Sequence, residues 1–394
     1  MDCVINELRI GLIQPYVGGH HDRYAQILTE GLARCGASVC LVAPKEIQLD
    51  MEVSRSLKQI VIPSLGDSGL KRHWNAFKIY GDALDSLAGW NATHVHFLYG
   101  DWNMLAITAA LSRSNCGGRK IVTGHWASGV GLGRSASGLS SAKKWFHRVP
   151  TRQFVASGGA FVVHDDGFER TLRRAMSQVD VKTVPYPVFP LKVAAKEKSR
   201  EYRRRLGIDE GCQVLLCFGD TRYDKGVDLA LTALSRLPTN YHLLIAGRSS
   251  YFDSKDIHKL AEREGISSRV HYIEGYVPED DVGTCFGASD FVLLPYRRGF
   301  SGQSGPLTLG AALGKPIIGA RLPVIANTIS RYSLGALFEP EDVDDMVRAI
   351  RGWNQGVFHA RQYEFQRKHS CEAFVTAMKK VYCADFLSTS SSAK

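Results

Sequence analysis

The sequence predicts an α/β protein built from two doubly wound, Rossmann-like parallel-sheet domains. Three observations predict it. Apolar, strand-like runs alternate with helix-period segments along most of the 394 residues. The alternation breaks once, near the middle, and then restarts. The turns richest in glycine and charge follow strands and open helices, where such folds bind ligands.

The elements follow in order. Residues 8–13 read as a buried strand and 21–35 as a helix, with Tyr24, Ile27, Leu28 and Leu32 at helical spacing and Gly36 as its stop. Strands are expected at 38–42, 59–62, 94–97, 120–123 and 160–164, with helices at 75–87 and 102–112. Pro185, Pro187 and Pro190 then exclude both a helix and a central strand. The charged run 192–205 is expected as a short solvated helix, and the domain boundary is placed here. Strands are expected again at 214–218, 242–246, 270–273, 291–294 and 316–319, with helices between them and further helices at 342–353 and within 358–385. The expected domains are 1–190, 191–356, and a C-terminal segment 357–394 whose helix packs back toward the first domain and whose Ser-rich end from residue 387 is disordered.

Composition narrows the class. Hydrophobic residues make up 44% and charged residues 22%, as in globular proteins. No apolar run approaches the roughly 18–20 residues that span a bilayer. The N-terminus has neither a basic start nor a long apolar stretch, so no secretory signal is expected. Nine cysteines are scattered without a Cys-x-x-Cys pair, which argues for reduced thiols in the cytoplasm and against structural zinc. A net charge of +10 favours phosphate-bearing partners, yet no nucleic-acid-binding motif is present.

Four motifs carry candidate chemistry. The first is Gly18-Gly19, between the first strand and the first helix; it suits an anion at a helix start and equally an ordinary tight turn. It lacks Gly-x-Gly-x-x-Gly and a following ribose carboxylate, which speaks against a nicotinamide-dependent enzyme. The second is the turn 218–228, which places Arg222 and Lys225 at a strand end, either to meet a diphosphate or as solvated charges. The third is the loop 294–307, with Arg297 and Arg298, Ser304 as helix cap and Pro306 in the first turn. A polar loop of that length inside a sheet points to function. The fourth is a set of histidines, His96, His125 and His164, at strand ends along one sheet edge; singly each reads as structural, and as a set they mark that edge.

Taken together, these motifs resemble family 4 of the retaining glycosyltransferases, with the two-domain GT-B fold facing across a cleft. The resemblance is strongest in 218–228, 243–247, 272–277, 288–296, 303–307 and 313–319, and extends to Gly18-Gly19, His96 and 123–125. It implies transfer of a hexosyl or other glycosyl group from a nucleotide-sugar, with retention and with no metal or other cofactor, to a polysaccharide, glycolipid or small-molecule acceptor. It implies Arg222 and Lys225 on the donor diphosphate, Ser304, Gly305, Pro306 and Leu307 around the phosphates and sugar, Gly275, Tyr276 and Val277 near the base, and Gly18 and Gly19 closing on the donor. It places His96 beside the transferred sugar as a catalytic residue, with Arg222 and Lys225, and makes His125, Trp126 and Arg134 acceptor-side candidates.

Two departures stand out. Ser301 and Leu309 occupy the positions where many members carry paired glutamates, and Asp220 stands where many carry Arg. The sequence is similar in this to a branch with a Ser-Gly loop that also lacks the glutamates. A catalytically inactive GT-B binding or scaffold protein is the alternative. The segment 134–152, basic around Trp145 and Phe146, suits either the acceptor cleft or peripheral contact with the anionic inner face of a membrane.

Overall fold

The computed structural model describes residues 5–18, 20–53, 56–66, 70–132, 141–189, 191, 194–300, 302–353 and 359–390. The chain divides into two compact units, Met1–Pro187 with His369–Lys394, and Val188–Lys368.

In the first unit the strands β1 (Arg9–Ile13), β2 (Ser38–Ala43), β3 (Leu57–Val61), β4 (His94–Phe97), β5 (Arg119–Gly124), β6 (Ala160–Val163) and β7 (Asp180–Thr183) form one parallel sheet. Its order is β3-β2-β1-β4-β5-β6-β7. The helices α1 (His20–Arg34), α2 (Leu70–Gly89), α3 (Met104–Leu111), α4 (Ser141–Ala156) and α5 (Asp166–Ala175) connect them. β4 and β6 are buried throughout and β1 from Ile10 onward, as a sheet covered on both faces requires.

The second unit opens with α6 (Lys196–Arg205), then β8 (Gln213–Phe218), α7 (Val227–Ser235), β9 (Tyr241–Gly247), α8 (Ser254–Arg263), β10 (Val270–Glu274), α9 (Glu279–Gly287) and β11 (Phe291–Leu294). It continues through α10 (Gly305–Ala312), β12 (Ile317–Ala320), α11 (Pro323–Tyr332), β13 (Gly335–Phe338), α12 (Val343–Gly352) and α13 (His359–Lys368). Its sheet is parallel, in the order β10-β9-β8-β11-β12-β13.

The last helix, α14 (Cys371–Ser390), belongs to the first unit and packs against α1. It runs past residue 387, into the stretch expected to be disordered. The charged α6 is solvated along most of its length, as expected, with Ser199 alone buried. It packs on α9, and Arg203 pairs with Asp290 at 2.7 Å while donating to the Ala288 carbonyl.

The sheet orders locate the sites. Strand order reverses between β1 and β4 in one unit and between β8 and β11 in the other. The loops leaving those strands diverge and open a crevice at their carboxyl ends. Among the described residues no helix is long and apolar enough to cross a membrane.

Candidate functional sites

At the switch point of the second unit, the β8 loop packs under the β11 loop. Gly226 is left-handed at φ +65°, and a Cβ there would stand 2.0 Å from the Pro295 carbonyl oxygen, so only glycine allows this approach. Gly219, at φ +96°, turns the chain out of β8. A Cβ on it would lie 2.7 Å from Lys225 Nζ and 4.0 Å from the Pro306 ring. The sequence-predicted Lys225 and the start of α10 therefore meet around one glycine turn.

Most of the arginines near this turn are answered by acids. Arg222 bonds Asp224 through two nitrogens, at 2.9 and 3.0 Å. Arg297 holds Asp228 at 2.6 and 3.1 Å and lies 4.0 Å over the Tyr223 ring. Arg298 pairs with Glu341 at 3.3 Å. The charge expected of Arg297 and Arg298 in the phosphate loop is thus turned to fastening the loops. Sequence reasoning missed Arg248, just beyond β9, which reaches Asp220 at 3.2 Å. A guanidinium therefore faces the acid that replaces the usual Arg.

Lys225 is different. Among the described residues no carboxylate lies within ion-pair distance of it. Burial, with the Arg222 cation beside it, brings its ammonium down to about 8, against the opposing pull of Asp220 and Asp224. A cation held this way is underneutralised and suits an incoming anion.

The start of α10 is pinned by side chains. The Ser304 hydroxyl caps the helix, accepting from Leu307 N at 3.3 Å, and lies 3.0 Å from the buried Tyr296 hydroxyl. Pro306 and Leu307 are buried, whereas Gly305 is exposed with nothing within 4 Å of a Cβ position. Gly275 turns at φ +122° after β10, Val277 is buried, and the Tyr276 ring is 69% exposed. The only Asp-x-Asp triplet, at 342–344, serves α12: Asp342 caps it and Asp344 pairs with Arg236. Among the described residues no three His, Cys, Asp or Glu are grouped to hold a metal ion.

The first unit places His96 in its interior. The expectation placed it beside the transferred sugar, but its ring has no exposed surface and both nitrogens are engaged. Nδ1 lies 2.6 Å from the Tyr382 hydroxyl of α14, and Nε2 lies 2.7 Å from Thr123 Oγ1. The bonds continue from Thr123 to Tyr24, from Tyr24 to His164 Nε2 at 3.1 Å, and from His164 Nδ1 to the Val184 carbonyl at 3.2 Å.

The carbonyl end sets the direction of this chain. It can only accept, so His164 Nδ1 carries hydrogen and its Nε2 accepts from Tyr24. Tyr24 then accepts from Thr123, Thr123 accepts from His96 Nε2–H, and His96 Nδ1 accepts from Tyr382. Burial, together with the neighbouring His94 and His125, takes the His96 ring down to about 3 and keeps it neutral. His96 and His164 thus brace β4, β5, β6 and α14.

His125 is placed otherwise. It sits just beyond β5, where the buried Asp101 carboxylate accepts from its backbone N–H at 2.9 Å, from Trp126 N–H at 2.7 Å and from its Nδ1–H at 3.2 Å. The carboxylate orients the ring through Nδ1–H. Asp101 is a residue the sequence reading missed, although it lies in the loop after β4, at the switch point. The Tyr99 ring lies 5.1 Å from His125 and 5.2 Å from Tyr16, so an aromatic wall runs along this edge. Trp126 is half-buried beside it. Gly18 has φ +86° and donates its N–H to the Asp22 carboxylate at 2.9 Å. Gly19 and Arg134 lie outside the described residues.

Residues 198–362 match the family model described as glycosyl transferases group 1. Lipopolysaccharide glucosyltransferase WaaG of Escherichia coli is 30% identical over 157 residues, covering 38% of each chain. Alpha-monoglucosyldiacylglycerol synthase of Streptococcus pneumoniae is 27% identical over 158 residues, covering 39% of this chain and 34% of its own. The matched region thus spans under two-fifths of the length of these relatives. Among solved structures, sucrose-phosphate synthase of Thermosynechococcus elongatus superposes with a TM-score of 0.74 at 17% identity, covering 97% of this chain and 100% of its own. Anabaena HepE in complex with UDP-glucose gives a TM-score of 0.65 at 14% identity, covering 97% and 100%. These likenesses show the fold, the two-sheet architecture of GT-B glycosyltransferases.

Proposed function

We propose, from the premise that residues 198–362 form a domain of the glycosyl transferases group 1 family, that the chain is a nucleotide-sugar-dependent glycosyltransferase. The observation that carries this reading is Lys225, a half-buried cation with no carboxylate within ion-pair distance among the described residues, set at a glycine turn beside the start of α10. The donor diphosphate lies against Lys225 and the backbone N–H of Gly305 at the start of α10, with Ser304, Pro306 and Leu307 shaping the sugar side and Gly275, Tyr276 and Val277 the base side.

Cleaving the sugar–phosphate bond puts negative charge on the leaving diphosphate. Lys225 and the α10 dipole stabilise that charge, so the reaction runs without a metal. Arg222, fixed by Asp224, shapes the loop and adds positive field. The acceptor attacks from the face the diphosphate leaves, its proton passes to the departing phosphate, and configuration is retained. His125, oriented by Asp101, lines the acceptor side with Trp126.

The acceptor is a polysaccharide, glycolipid or small molecule, and the relatives named for lipopolysaccharide and diacylglycerol products favour the first two. The chain works in the cytoplasm, at the inner face of a membrane. Supporting this, α4 carries no acid, and Trp145 and Phe146 on it and Trp74 on α2 are 66, 40 and 60% exposed. Salt-dependent flotation with anionic liposomes, lost in Trp145→Ser with Trp74→Ser, checks this contact.

A thermal-shift screen with UDP, GDP, ADP and dTDP, each with and without sugars, tests the donor site, because a ligand of the folded state raises the midpoint. A shift with one nucleotide, abolished by Lys225→Ala, is expected. No shift with any of them, in folded protein, favours the inactive scaffold.

A further inference from the structure

The first unit holds a second cation without an acid, outside the donor site. Arg72 stands in the first turn of α2, half-buried. One terminal nitrogen donates to the Tyr16 hydroxyl at 2.8 Å, and the guanidinium lies 5.9 Å over the Tyr16 ring. Its Nε is buried with no hydrogen-bond partner. No carboxylate among the described residues lies within ion-pair distance.

Among the described residues, the helices beside it are short of acid as well. The first acid on α2 is Asp82, ten residues on, about 15 Å along the helix axis. α4 has none. From α4, His147 faces the same place. Its ring lies 5.1 Å from Trp102, its Nδ1 is buried without a partner, and burial with the nearby His73 and Arg72 lowers its protonation range.

The position is that of a ligand site. Tyr16 follows β1, and Asn103, which bonds the Tyr16 hydroxyl at 2.8 Å, follows β4. These are the two strands at the switch point. The rings of Tyr16 and Tyr99 lead from Arg72 to His125. A guanidinium whose fork meets only a neutral hydroxyl, beside an unsatisfied imidazole nitrogen, matches a phosphoryl oxygen set better than water.

We propose that Arg72, with Tyr16 and His147, forms an anion subsite that receives a phosphoryl group of the acceptor. The inference rests on the glycosyltransferase reading and adds to it the class of acceptor: one carrying phosphate close to the hydroxyl that is glycosylated. The phosphate belongs either to a lipid headgroup or to a soluble phosphorylated compound.

The test titrates the full chain with glycerol 1-phosphate, with glycerol, and with phosphatidylglycerol or phosphatidylcholine vesicles. It is run in the Lys225→Ala background, so that the donor site does not compete for phosphate. Glycerol 1-phosphate is expected to bind and glycerol not, with Arg72→Gln weakening binding tenfold or more and Arg72→Lys by less. Arg72-dependent binding of phosphatidylglycerol vesicles assigns the headgroup, and binding of the free phosphate alone assigns a soluble acceptor. Equal binding by Arg72→Gln, or none by the parent, overturns the subsite. The nucleotide shift of otherwise wild-type protein and of its Arg72→Gln variant separates that failure from failure of the transferase reading, which predicts a shift in both.

Discussion

Replacing His96 by Gln separates its two readings, a catalytic group or a buried brace. The folded ring titrates near 3 and the unfolded ring near 6.5. Between those values the unfolded chain holds the extra proton, so stability is fully present above pH 6.5 and is lost as pH falls toward 3. The loss is about 1.4 kcal/mol per pH unit once well below 6.5, or about 2 kcal/mol between pH 7 and pH 5. His94, buried and brought down to about 4, adds a similar amount over the same window. Together they make a sizeable part of an ordinary stability of about 5–15 kcal/mol.

His96→Gln removes one of those protons and leaves Thr123 or Tyr382 short of a partner, at about 1–3 kcal/mol. Urea unfolding at a series of pH values reads both effects. The variant should be less stable at pH 7, with a shallower acid slope by about one proton. Turnover per folded molecule at pH 7.5 should stay within about twofold. A hundredfold loss of turnover with an unchanged acid slope would refute the bracing role and return His96 to the reacting centre.

Three further outcomes concern the sites themselves. Lys225→Ala should lower turnover by about tenfold or more with the fold intact. In the parent, nucleotide affinity should fall as pH rises through about 8, where the ammonium of the unliganded site loses its proton, and Lys225→Arg should move that loss to higher pH; calorimetric titration from pH 7 to 9.5 checks both. Asp101→Asn removes the charge that orients His125 Nδ1–H, so turnover should drop about tenfold or more while the nucleotide shift persists, as steady-state kinetics beside thermal shift would show.

Much of this molecule could be read from the sequence because its signals are local. Strands, helices and glycine turns alternate within windows of about ten residues, and both switch-point loops of the second unit carry their marks in one stretch of chain. The edge strands β7 and β13 escaped because an edge needs no apolar run: Asp180–Thr183 alternates with solvent, and Gly335–Phe338 buries fully only its last residue. The helix α11 escaped because Pro323 opens it, where proline reads as a break but suits a first turn.

The surroundings of His96 were not legible for a different reason. It lies inside β4, two residues from His94, so strand parity puts both on one face of the sheet. What covers that face is Tyr382, whose ring lies 5.6 Å from His94 and 5.9 Å from His96, from a helix 286 residues later. His125 lies one residue beyond its strand, where the pleat no longer dictates direction and a loop carboxylate can aim the ring.

The same distinction governs charge. Arg222, Arg248, Arg297 and Arg298 make the loops of the second unit look strongly cationic in the sequence. Folding brings Asp224, Asp220, Asp228 and Glu341 against them, the last three from 28 to 69 residues away. A paired guanidinium is spent on holding loops together and attracts a diphosphate weakly. The proposed binding sites therefore rest on Lys225 in one unit and Arg72 in the other, which have no carboxylate within ion-pair distance among the described residues. Counting basic residues finds the region, and only the pairing identifies which of them faces a ligand.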